Sequence, residues 1–177
     1  MSHLPILAVA ATLLAAGCSK DSAPTTPSGP QNRFTFTATL LPASERPNPV
    51  TNAEAGGSGT VTITMNVTRD AAGVITAATT DYNASFTGFP AGTALTAAHI
   101  HTGDANTAGG PTNNLGLTAG EVTFPNGSGT LVKTGVGFLA PVDTVNAIIN
   151  NPGGFYFNVH TALNPGGVAR GQLVRTS

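Results

Sequence analysis

Threonine alternates with apolar residues along two stretches of this chain, and that alternation commits the backbone to extended structure. In residues 34–40, Phe34, Phe36, Ala38 and Leu40 interleave with Thr35, Thr37 and Thr39. In residues 60–67, Val61, Ile63, Met65 and Val67 interleave with Thr60, Thr62, Thr64 and Asn66. A period of two sends each set to one face of a strand, whereas a helix would scatter both sets around its axis. Asp70-Ala71-Ala72-Gly73 reads as a hairpin turn into a strand at 74–81. Further strands are expected at 82–88, 94–101, 120–124, 128–133, 154–161 and 168–174, with Gly or Pro in nearly every gap. Seven to nine short strands predict an all-β domain, an antiparallel Greek-key-like β-sandwich or barrel. One short helix is expected at 143–150, capped by Asp143, with Val145, Ile148 and Ile149 at helical spacing. Residues 104–118 are rich in Gly, Asn and Thr and read as a long surface loop.

The chain of 177 residues fits one domain with a leader and a tether. Only 8% of the residues are charged and the formal net charge is -1, so no nucleic acid is expected as a partner. Residues 4–17 form an apolar run ending in Leu14-Ala15-Ala16-Gly17-Cys18. It is shorter than the roughly 20 residues of a membrane-spanning helix and has the length of a signal-peptide core. Small residues before a lone cysteine resemble a bacterial lipoprotein signal, although Met1-Ser2-His3 lacks the usual basic residue and Ala15 stands where leucine is commoner. That resemblance implies removal of residues 1–17 and acylation of Cys18, with the bilayer as partner. Ser19 then favours the outer membrane or the periplasmic face of the cell envelope. Residues 18–32 read as a lipidated flexible tether, with three prolines and no apolar periodicity, and 33–177 as the folded domain. Cys18 is the only cysteine, so the domain has no internal disulfide.

Outside the leader the chain has three histidines, in two segments that echo each other: Ala98-His99-Ile100-His101-Thr102 and Asn158-Val159-His160-Thr161. Asn106 and Gly109-Gly110 follow the first, Asn164 and Gly166-Gly167 the second. Strand alternation puts His99 and His101 on one face, and Tyr156, Asn158 and His160 on the face opposite Phe155, Phe157 and Val159. Arg170 and Gln172 share a face in the last strand. If these strands are neighbours, the polar groups form one patch. Two imidazoles at i and i+2, with a third from another strand, make the three-ligand set of an open copper or zinc site. The alternative is that the imidazoles bond backbone or Asn and Thr groups and hold loop ends in place. Glu45 and Arg170 are expected to pair, tying the first and last strands.

Taken in order, several pieces of the chain resemble the CHRD domain, first described in chordin. They are Phe36-Thr37-Ala38-Thr39-Leu40, Glu45-Arg46-Pro47, Ala97-Ala98-His99-Ile100-His101, Phe155-Tyr156-Phe157-Asn158-Val159-His160-Thr161, Asn164-Pro165-Gly166-Gly167 and Arg170-Gly171-Gln172-Leu173. They run through about residues 34–174. Val168-Ala169 stands where the family usually has Glu-Ile, and Thr102-Gly103-Asp104 where Gly-Pro-Ala is usual. The resemblance implies a β-sandwich acting as a binding or structural module, with a cell-surface or matrix protein as a candidate partner. A shorter stretch, His99-Ile100-His101 with Gly103-Asp104 and Asn106-Thr107-Ala108-Gly109, is similar to the copper-ligand strand and loop of copper/zinc superoxide dismutase. It implies copper ligation by His99, His101 and His160. The zinc-loop histidines and the loop disulfide of that enzyme have no counterparts here. No catalytic residue is assigned. Glu45, Tyr156, Asn158, Arg170 and Gln172 are expected to serve structure or to touch a ligand.

Overall fold

The computed structural model describes residues 30–177; the leader, Cys18 and most of the tether lie outside the described residues. Ten strands and one helix are described: β1 (Arg33–Leu40), β2 (Ser58–Arg69), β3 (Ile75–Thr87), β4 (Thr93–Thr102), β5 (Pro111–Asn114), β6 (Thr123–Phe124), β7 (Gly129–Gly137), α1 (Val142–Asn150), β8 (Phe155–Thr161), β9 (Ala169–Gln172) and β10 (Val174–Arg175). One sheet runs β10-β1-β2-β3-β7, the other β5-β4-β8-β9, with β6 on the free stretch of β4. Every pairing is antiparallel.

The threonine alternation sets the register of the first sheet. Thr35, Thr37 and Thr39 stand opposite Thr64, Thr62 and Thr60, so hydroxyls face hydroxyls on the outer side. The apolar partners Phe36, Leu40, Val61, Ile63 and Met65 are buried on the inner side. They meet Ala98 and Ile100 of β4, and Phe157 and Val159 of β8, in one core. Asp70 closes the β2–β3 hairpin by accepting the amides of Ala72 and Val74, and Gly73 takes the left-handed conformation (φ 83°) that the turn needs.

Three expectations are corrected. The helix begins at Val142 after Pro141, and no side chain caps it; Asp143 sits inside the first turn, where its charge faces the helix dipole. The segment 104–118 is not all loop, because β5 pairs with β4. The one buried side chain of β5, Asn113, donates to Thr80 Oγ1 (3.0 Å) and Tyr82 Oη (2.7 Å), so the strand is anchored by buried hydrogen bonds with no apolar pattern to announce it. Residues 75–87 form one strand and not two, because a register shift between Thr80 and Tyr82 carries it past the middle without a turn.

Candidate functional site: a roofed histidine face

β8 lies between β4 and β9, so the outer face of the second sheet is a grid. His99, Asn158 and Arg170 are paired across it in one row, and His101, Tyr156 and Gln172 in the next. Ala97 pairs with His160 in the row on the other side. The alternation that buries Phe157 and Val159 on the inner face directs this polar set outward.

Outward does not mean exposed. Tyr156, Asn158, His160 and Arg170 are all buried, and His101 is buried with 8% of its surface left. The cover is main chain. Arg170 donates to the carbonyls of Asp104 (2.6 Å) and Thr107 (2.9 Å), and Gln172 to that of Gly103 (3.0 Å). Asp104 folds this loop on itself by accepting the amides of Asn106 and Thr107. On the other side, His160 donates from Nδ1 to the carbonyl of Pro165 (2.9 Å). Glu54, which no spacing in the sequence singles out, holds that second loop: its carboxylate accepts from Thr161 Oγ1 (2.6 Å) and from the Asn164 amide.

The expected Glu45–Arg170 ion pair is not formed. The guanidinium is spent on loop carbonyls and lies over the Tyr156 ring, 3.7 Å from its centroid. Backbone ties these parts instead: Leu41, just past β1, and Arg170 of β9 exchange reciprocal bonds, and β1 pairs with the last strand, β10. Glu45 accepts from Asn158 Nδ2 (3.3 Å), and its other oxygen is buried without a partner. Burial pushes the Glu45 carboxyl up to about 7, against the opposing pull of Arg170 and Asn158.

The three imidazoles form a compact cluster. One ligand atom from each of His99, His101 and His160 can be chosen so that all lie within 4.8 Å of one another. Tautomers follow from the partners. A carbonyl only accepts, so the proton of His101 is on Nδ1, bonded to Gly109 O (2.9 Å), and that of His160 is on Nδ1, bonded to Pro165 O. Both Nε2 atoms therefore carry lone pairs. His160 Nε2 accepts from His99 Nδ1 at 3.0 Å, and His101 Nε2 is buried with no partner. Tyr156 stacks on His101, with centroids 4.9 Å apart and planes 11° from parallel.

All three histidines are held below the ordinary histidine pKa, chiefly by burial. His99 falls to about 4, with the neighbouring His160 and His101 adding to the effect. For His101 and His160 the carbonyl partners oppose the shift without reversing it. The cluster is therefore neutral near pH 7, and protons do not compete for its lone pairs.

The family model of the CHRD domain matches residues 36–173. No curated protein and no solved structure matches the chain.

Proposed function

This chain belongs to the CHRD domain family, an extracellular type of binding or structural module, and on that premise we propose that it is a lipid-anchored envelope protein whose roofed histidine face binds a transition-metal ion. The observation that carries the metal reading is His101 Nε2. A buried lone pair without a donor is costly in a folded protein, and a cation satisfies it. The arrangement around it supports the same reading. Metal-binding histidines characteristically donate their second ring N–H to a carbonyl, which fixes the tautomer, as His101 and His160 do here. His99 would take the third position as the other neutral tautomer, its proton moved from Nδ1 to Nε2, which also frees the His160 Nε2 lone pair.

The anchor rests on the apolar run before Cys18 and the proline-containing tether after it. Acylation at Cys18 would hold the domain at the cell envelope, on the periplasmic face or outer membrane. A partner protein at the cell surface or in the matrix would be met by the domain's exterior, not by the roofed histidines. There the cleft lined by Glu45, Pro47, Val50, Asn52, Leu163 and Asn164, with a volume of about 400 Å³, is open to a ligand.

The test is elemental analysis of the full chain purified from the membrane fraction without added metal, beside the His99→Ala/His101→Ala variant. One metal ion per chain, absent from the variant, is expected. A metal-free protein that also fails to take up copper or zinc on titration would remove the metal reading. Cys18→Ser should move the protein from the membrane to the soluble fraction.

A further inference from the structure

From the charges around the cluster we infer that the ion it selects is monovalent copper, in preference to zinc(II) or copper(II). The inference rests on the metal reading above and adds the identity of the ion.

The first observation is the donor set. All three ligands are neutral imidazoles, and the chain's only thiol, Cys18, lies outside the domain. The hydrogen-bond partners of these rings are one another and the carbonyls of Gly109 and Pro165, with no carboxylate among them. Each unit of metal charge carried into this buried site is therefore left uncompensated by its ligands.

The second observation is that cation. Arg170 lies over Tyr156, and Tyr156 stacks on His101. The guanidinium cannot swing away, because two loop carbonyls and Gln172 Oε1 hold its N–H groups. Glu45, the nearby buried acid, is bonded to Asn158 and forms no ion pair with the guanidinium. A fixed guanidinium one aromatic ring from the ligands penalises a divalent ion more than a monovalent one. At a partly buried site the difference is on the order of tenfold in affinity per unit charge.

The third observation is coordination number. Zinc(II) completes a tetrahedron, and a three-histidine zinc site keeps a fourth, exogenous ligand. Copper(I) is satisfied by three. Three nitrogens around a trigonal ion, each at roughly 2.0 Å, stand roughly 3.5 Å apart. The cluster, at 4.8 Å or less, needs only a small contraction to reach this.

The experiment is an anaerobic competition on the full, metal-free protein. Copper(I) is titrated against a chromophoric copper(I) chelator and zinc(II) against a zinc chelator, with wild type, Arg170→Gln and Arg170→Lys compared. One copper(I) per chain is expected, bound at least about a hundredfold more tightly than zinc(II). Arg170→Gln should narrow that gap by about tenfold, mainly by strengthening zinc(II), while Arg170→Lys should keep it. If Arg170→Gln does not fold, the wild-type competition decides alone. Zinc(II) held as tightly as copper(I), or a gap unchanged in a folded Arg170→Gln protein, would overturn the inference and leave the metal reading standing. Binding of neither ion would end both.

Discussion

The 3.0 Å hydrogen bond between His99 and His160 runs in one direction only, from Nδ1 of His99 to Nε2 of His160, because the Pro165 carbonyl has already claimed the His160 proton. Protonation of either ring is disfavoured. A second proton on His160 would point at the N–H of His99, and one on His99 would put a charge among buried rings.

Acid should therefore destabilise the domain through these histidines. Their folded pKa values lie below the unfolded value near 6.5, so the unfolded chain binds more protons across that interval. Their contribution is present above about pH 6.5 and is lost as the pH falls towards 4. Thermal unfolding of metal-free protein at pH 7.5 and pH 5 should show the loss. His99→Gln should reduce it by on the order of 1 kcal/mol, a figure discounted for the partly exposed ring. An equal loss in the variant would mean that other groups drive the acid response.

Glu45 should act in the opposite sense. Its folded pKa of about 7 is above that of an ordinary carboxyl, so the folded state binds the extra proton and stability falls as the pH rises from about 4.5 to 7. Glu45→Gln keeps the shape and abolishes the charge. It should be more stable than wild type at pH 8 by on the order of 2 kcal/mol and equal to it near pH 4. Chemical denaturation at the two pH values measures this directly. A variant weaker at pH 8 would show that the ionised carboxylate is needed.

Arg170→Ala should release the loop before it weakens the sandwich. The substitution strands the carbonyls of Asp104 and Thr107 and removes the cover from Tyr156. A loss of about 3 kcal/mol is expected. Hydrogen exchange should rise most in residues 103–110 and least in β2 and β3. Uniform acceleration through both sheets would refute a local role.

Gly171→Ala tests how closely β9 and β1 approach. A Cβ at this position would fall inside contact distance of the Thr39 carbonyl oxygen, with Ala38 Cβ also near. Backbone on a paired strand cannot step aside, so a cost of about 3 kcal/mol is expected, visible as a lower denaturation midpoint. A neutral effect would mean that the Leu41–Arg170 bridge yields easily.

Local pattern made the sandwich legible and left its cover hidden. The threonine alternation announced β1 and β2 because each has one face in the core and one in water. The same logic put Tyr156, Asn158 and His160 on one face, but it suggested an exposed patch. All seven residues of β8 are buried. What covers the outward three, Tyr156, Asn158 and His160, is backbone from residues 103–110 and 163–167, and carbonyl groups leave no trace in residue type. β5 carries no sequence signature for a related reason, since Asn113 is held by hydrogen bonds and not by an apolar stripe. Opposite charges in the sequence favour a Glu45–Arg170 pair, but residue types do not reveal the Asp104 and Thr107 carbonyls that take the guanidinium instead.

Because the roof is gripped by its main chain, mutational tolerance should be asymmetric across it. Ala105 and Asn106 are exposed, and their side chains serve none of the bonds that hold the loop down. Arg170, Gln172 and His101 supply those bonds from below. A saturation library should find the upper surface of the loop permissive and the three residues beneath it nearly fixed. The outside of this domain can thus be rewritten to suit new surroundings without disturbing the histidines beneath it.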